Sequence, residues 1–202
     1  MIKIAVLSST KATDAQALID SIKSKKLNAE ISVFISNKKD SYALERARKH
    51  NIKAVFLDPS GRDRQAYDKG IADELDKSKV DLVLLIGYLR ILSPWFVKKY
   101  KNRIMNVHPS ILPAFAGRMD EDVHKEVLDY GCRITGCTLH FVDQNVDAGP
   151  IIMQKAVEVS EKDNVYSLKE KVQKAEQEIL VKAVDLFSKG KIKVNGRKVS
   201  MA

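Results

Sequence analysis

Short apolar runs alternate with stretches of helical period through the first half of the chain, and this alternation limits the fold more than any other feature. Ile2 to Leu7, Ala29 to Ile35, Ile52 to Leu57 and Val80 to Ile86 are the runs. The first and last of them are apolar almost throughout, the pattern of strands covered on both faces. Between them, Ala15, Leu18, Ile19 and Ile22 recur at helical spacing behind Thr13 or Asp14 as N-cap, and Tyr42 to Arg48 and Asp63 to Leu75 read as two further helices. Strand and helix in repetition predict an α/β fold: a doubly wound, mostly parallel sheet with right-handed crossovers.

The second half changes character. Pro94-Trp95-Phe96-Val97 suits the opening of a short helix with Pro at its first position. A strand follows that ends at Asn106-Val107-His108, then a loop from Pro109 to Gly117 and a helix from Asp122 to Leu128. Ile134 to Val142 and Ile151 to Val159 read as strands joined by a connection too short for a helical crossover, which predicts an antiparallel pair. Ser167 to Phe187 reads as a long terminal helix stopped at Gly190. A chain of 202 residues, 45% of them hydrophobic, is expected to form a single domain, with an N-terminal half over 1–100 and a C-terminal half over 101–202.

Charge and cysteine usage narrow the function classes. The 35 Lys and Arg against 26 Asp and Glu give a net +9, but the basic residues are interspersed with acids, as in Lys38-Lys39-Asp40. That distribution suits an anionic small substrate and does not indicate nucleic acid. Cys132 and Cys137 read as interior free thiols, with no metal site. No apolar run has the length of a membrane span, and the first residues enter a strand directly without a signal-peptide pattern, so a soluble cytoplasmic protein is expected.

The chemistry gathers at two turns. Successive side chains of a strand point to opposite faces, so Asn106 and His108 share one face while Met105 and Val107 pack behind. Pro109 cannot continue a ladder and should end the strand there, leaving an amide and an imidazole at the carboxyl edge, where open α/β sheets bind ligands. Val142 to Pro150 is a second turn after an apolar strand, and it carries an acid, Asp147.

These residues resemble the glycinamide ribonucleotide formyltransferases of purine biosynthesis, which use 10-formyltetrahydrofolate. The resemblance runs through Ser36-Asn37-Lys38, Ala43 to Ala47, Gly87 to Ser93, Asn106 to Pro113, Thr135 to Val142 and Asp147 to Ile152. It implies a Rossmann-like formyltransferase fold in which Asn106, His108 and Asp147 are catalytic. Attack of an amine on a formyl carbon builds a negative oxygen and a positive nitrogen; Asn106 and a protonated His108 would stabilise the first, and Asp147 would keep His108 charged and help carry the proton away. By the same resemblance Leu89, Arg90, Ile91 and Leu92, with Val97, Arg64 and Asp143, bind the folate. Lys11, Ala12, Thr13 and Asp14 meet the phosphate of the ribonucleotide, and Gln173 and Glu176 hold the rest of it. No metal is implied, and the state is monomer or homodimer. His140 reads as structural support.

Two departures stand out. The first turn of the family has the form S-G-x-G-S/T-N, whereas here it is Ser9-Thr10-Lys11-Ala12-Thr13-Asp14, without glycine. The loop from Ala116 to Asp122 replaces a shorter turn. Transfer to a different amine, hydrolysis of formyltetrahydrofolate, and folate binding without turnover are the alternatives that these departures leave.

Overall fold

The computed structural model describes residues 1–118 and 120–201; for Asp120 and Glu121 only the backbone is described. Met119, within the insertion read from Ala116 to Asp122, lies outside the described residues. The chain forms two compact units, Met1–Met105 and Asn106–Ala202.

In the first unit β1 (Ile2–Leu7), β2 (Ala29–Ser36), β3 (Ala54–Phe56) and β4 (Leu82–Leu85) alternate with α1 (Ala15–Lys23), α2 (Tyr42–Lys49), α3 (Arg64–Lys77) and α4 (Pro94–Lys99). The strands lie in the order β3-β2-β1-β4, and the β1–β2, β1–β4 and β2–β3 pairs are all parallel. Ile4 to Leu7 and Leu82 to Leu85 are buried along their whole length, which accounts for their near-continuous apolar sequence. Both strands end at the same edge, and their exit loops flank the point where strand order reverses. The helix starts are capped: Ser41 accepts from Ala43 N, Asp63 from Ala66 N, and Ser93 from Phe96 N with Pro94 following. Each such cap stabilises its helix by about 1 kcal/mol.

β5 (Ile104–His108) opens in the first unit, where Arg103 O accepts from Val83 N, and ends in the second. There the order continues β5-β6-β7, completing the seven strands of the sheet, with β6 (Ile134–Phe141) and β7 (Ile151–Glu158) antiparallel as expected. Helix α5 (Asp120–Asp129) and the long α6 (Val165–Ser188) belong to this unit. Helix α6 begins with a capping box between Asn164 and Ser167 and buries Leu168, Val172, Ile179, Leu180 and Val184. It passes its C-cap at Lys189 into Gly190, whose φ of +65° suits a residue without a Cβ.

The sequence reading stops at Gly190, but the chain does not. β8 (Ile192–Asn195) and β9 (Lys198–Met201) form an antiparallel hairpin, the second sheet. Lys and Arg break up its apolar pattern, so only Gly196, at φ +58°, marks the turn. β3 is shorter than the run from Ile52 to Leu57, because Ile52 N is taken by Ala47 O at the end of α2 and Leu57 already leads into a turn.

Candidate active site

β5 ends at His108 and Pro109 follows, as the proline demands. Met105 is fully buried, while Asn106 and His108 reach the same carboxylate on the other face. That carboxylate is Asp147: Asn106 Nδ2 donates to its Oδ1 at 3.4 Å, and His108 Nδ1 lies 3.4 Å from its Oδ2. The turn after β6 therefore supplies one acceptor to both strand residues.

The turn is held closely. Asp147 has φ +51°, which an Asp tolerates better than most residues. Gly149 presses on the strand before it, where a Cβ would overlap Phe141 O. Asp143 Oδ1 accepts from Asn145 N at 2.9 Å, and Arg197 on the C-terminal hairpin donates to Ala148 O at 2.8 Å. His140 adds a third neighbour. Its Nδ1 faces Phe141 O at 2.9 Å, and a carbonyl can only accept, so Nδ1 carries a proton, while Nε2 lies 3.2 Å from Asn106 Nδ2 and 3.6 Å from Asp147 Oδ1. His140 thus stands beside both Asn106 and Asp147.

Main-chain groups of the loop after β5, which carry no side-chain signature, complete the cluster. Phe115 O lies 3.1 Å from His108 Nε2, and Gly117 N donates to Asp147 Oδ2 at 2.9 Å. The base of this loop is tied to the sheet by buried Thr138. Its hydroxyl donates to Ser110 O at 2.7 Å and accepts from Leu112 N at 3.0 Å, while Gln154 Nε2 donates to Leu112 O and Thr138 Oγ1, each at 3.0 Å.

The pKa of His108 departs from expectation. Burial lowers its pKa below the ordinary histidine value; Asp147 and Phe115 O pull upward, and His140 adds to the lowering. Asp147 acts in the expected sense, but loss of solvent outweighs it, so the His108 pKa moves down rather than up. Asp147 itself is held below the usual carboxylate range, since the favourable partners His140, His108 and Gly117 N together exceed the desolvation that opposes them.

The other predicted residues fall into three groups. In the first unit Leu89 and Ile91 expose apolar side chains, 47% and 57% respectively, in front of buried Leu92 and Val97. An exposed apolar pair beside buried neighbours is a surface that a flat apolar ligand can cover. Arg90 lies 4.4 Å over the Tyr67 ring, and Arg64 is the exposed first residue of α3. Buried Asp68, which the sequence reading missed, accepts from Ser93 N at 2.5 Å and so braces the corner from α3.

The loop from Ser9 to Asp14 forms the second group. Thr10 O accepts from Ser41 Oγ and Ala43 N, and Lys11 O from Arg46 Nε at 3.2 Å. The amides of Lys11, Ala12 and Thr13 find no acceptor among the described residues. Asp14 holds the N-cap position of α1 without a capping hydrogen bond, and Ala12, buried, has φ +47°. The third group is on α6, where Glu176 is buried and Gln173 lies one turn earlier, half-buried.

The formyl transferase family model matches residues 2–184. The chain belongs to the formyl transferase family. It is 37% identical over 193 residues to the phosphoribosylglycinamide formyltransferase of Escherichia coli, covering 95% of this chain and 90% of that one. It is 40% identical over 198 residues to the trifunctional purine biosynthetic protein adenosine-3 of Bos taurus, with 96% of this chain covered but only 19% of that protein's length. Among solved structures, glycinamide ribonucleotide transformylase 1 from Symbiobacterium toebii superposes with a TM-score of 0.94 at 39% identity, over all of this chain and 94% of that one. A formyltetrahydrofolate deformylase from Pseudomonas syringae shares the fold, with a TM-score of 0.89 at 23% identity. Among the described residues no helix is long and apolar enough to cross a membrane.

Proposed function

We propose that this member of the family transfers a formyl group from 10-formyltetrahydrofolate to the amine of glycinamide ribonucleotide. The observation that carries the reading is the single carboxylate of Asp147 shared by Asn106 and His108 at the end of β5. The folate supplies the formyl group when bound against Leu89 to Leu92 and Val97, with Arg64 and Asp143 as further contacts. The free amides of Lys11, Ala12 and Thr13, aided by the Lys11 cation and the Thr13 hydroxyl, hold the phosphate, as backbone N–H groups at a helix start do. Gln173 and Glu176 hold the remainder of the ribonucleotide.

His108 Nδ1 faces the Asp147 carboxylate and Nε2 faces Phe115 O, so both ring nitrogens are placed as donors. The imidazolium is stabilised by Asp147 and, with Asn106, faces the developing oxyanion. Phe115 O must leave His108 Nε2 for this to happen, because one N–H cannot serve both acceptors. The proton released by the attacking amine leaves through Asp147 or water.

The test is release of tetrahydrofolate by the purified protein with and without glycinamide ribonucleotide. Release that depends on the ribonucleotide is expected, with Asn106→Ala, His108→Ala and Asp147→Ala each slowing turnover about a hundredfold, the usual scale for a lost oxyanion donor. Equal release without it would make the protein a hydrolase, and transfer only to an unphosphorylated amine would remove the phosphate site.

A further inference from the structure

β1 has β2 on one side and β4 on the other, so the loops leaving β1 and β4 run side by side at the point where the strand order reverses. The first of them carries Lys11 to Thr13 and the second Leu89 to Leu92. They are joined beyond the strand ladder. Ser9 N donates to Gly87 O at 2.9 Å, and Leu89 N donates to Ser9 Oγ at 3.0 Å. The same hydroxyl donates to Asn37 Oδ1 at 2.6 Å, in the loop after β2. A hydroxyl has one proton, and with that proton given to Asn37 only its lone pairs can face Leu89 N–H. Ser9 is 3% exposed, so water does not compete for these bonds. Alongside, Thr10 occupies the space in front of Gly87: a Cβ there would overlap Thr10 Oγ1, and Gly87 has φ +61°.

We propose that Ser9 is a positioning residue that couples the acceptor-phosphate loop to the folate segment, so that filling one subsite tightens the other. The inference rests on the function proposed above, which makes these two loops subsites. An anion drawn to the amides of Lys11, Ala12 and Thr13 orders the chain immediately after Ser9 and Thr10. Ser9 then holds Gly87 O and Leu89 N in fixed positions, and the folate segment has less conformational freedom left to lose when its own ligand arrives. Coupling of this kind acts equally in both directions. Because the Leu89 amide is committed to Ser9, the main-chain groups offered to the folate begin at Arg90.

The experiment uses the full chain, inorganic phosphate and a folate analogue that cannot transfer formyl. Phosphate can fill the anion position but is too small to bridge to the folate, so any effect on the analogue passes through the protein. In the unmutated protein phosphate is expected to slow amide exchange in the 87–93 segment and to lower the analogue's Kd about fivefold, within the usual range for coupled sites. In Ser9→Ala, which keeps the main-chain bond to Gly87 O but loses the hydroxyl that holds Leu89 N, both effects should fall to a small fraction. Asn37→Ala, which frees the hydroxyl to rotate, should diminish them too, and Asn37→Asp, which keeps the acceptor, should retain them. The Asn37 pair decides the matter if Ser9→Ala does not fold. Undiminished coupling in Ser9→Ala and Asn37→Ala overturns the proposal while leaving formyl transfer intact. Failure of the unmutated protein to bind phosphate or the analogue overturns the functional reading as well.

Discussion

Ala12 stands where the resembling family has its second glycine, and its φ of +47° shows that the loop still takes the left-handed turn. That conformation costs a residue with a Cβ about 1–2 kcal/mol. Two terms work against it: alanine has roughly 0.4–1 kcal/mol less chain entropy to lose on folding than glycine, and its buried methyl contributes about 0.8 kcal/mol. The terms nearly cancel, which is how the glycine could be lost without the turn. Ala12→Gly is therefore expected to change unfolding free energy by less than about 1 kcal/mol, whereas Ala12→Val, β-branched at a positive φ, should destabilise by more; denaturant midpoints for the two would show it. At the proposed catalytic residues the sequence placed three groups together and missed the direction in which burial moves the His108 pKa. Burial is a property of the neighbours, so nothing in Asn106-Val107-His108 reveals that His108 loses more from desolvation than it gains from Asp147. An NMR titration should find the His108 pKa below the ordinary value of about 6.5. Because Asp147 raises that pKa, Asp147→Asn should lower it further; an upward shift would contradict the arrangement described.

Among the elements, strands with continuous apolar runs were legible from sequence and those with interspersed charge were not. Ile2 to Leu7 and Val80 to Ile86 declared themselves, as did the antiparallel β6–β7 pair through its short connection. The β8–β9 hairpin did not, because neither of its strands buries a full face and Arg197 is the residue through which it reaches the Asp147 turn. The loop after β5 was legible only at its ends. Its contacts to His108 and Asp147 come from a carbonyl and an amide, and its anchoring comes from Thr138, a residue that in sequence is one more member of a strand. Thr138 Oγ1 takes part in bonds with Ser110 O, Leu112 N and Gln154 Nε2. Thr138→Val keeps the shape but leaves buried partners unsatisfied, at about 1–3 kcal/mol for each lost partner. Thermal unfolding should register that loss. Turnover should fall more than folate binding does, since the loop contacts the proposed catalytic groups; unchanged turnover in a folded Thr138→Val protein would show that the loop does not need this anchor.

For the whole molecule, the shifted groups combine into a pH dependence of stability whose sign can be worked out. His108 is lowered by burial, and His50 is lowered in the same sense by partial burial and by Lys23. A histidine with a depressed pKa binds more protons unfolded than folded, so its contribution is present above about 6.5 and is lost as pH falls through the folded value. Glu74 beside Lys53 and Lys77, Asp76 beside Lys99, Asp163 beside Lys171, and Asp147 are also lowered. Their contributions disappear in the same direction but further into acid, below about pH 4.5. Asp68 has the opposite sign: burial raises it, so it favours folding below the usual carboxylate value and this is lost as pH rises through its folded pKa. Asp68 opposes the others in acid, and the expected net direction is that of the six lowered groups. Stability should therefore be greatest near neutral pH, begin to fall below about pH 6.5 and fall more steeply below about pH 4.5. The first step is the histidines', with a slope limited to about 1.4 kcal/mol per pH unit for each group. His108→Gln removes the buried imidazole, so between about pH 5 and 6.5 its stability should depend less on pH than that of the unmutated protein. Denaturant midpoints measured at half-unit steps would decide it: parallel curves for the two proteins across that interval would mean that His108 gains no net charge on unfolding.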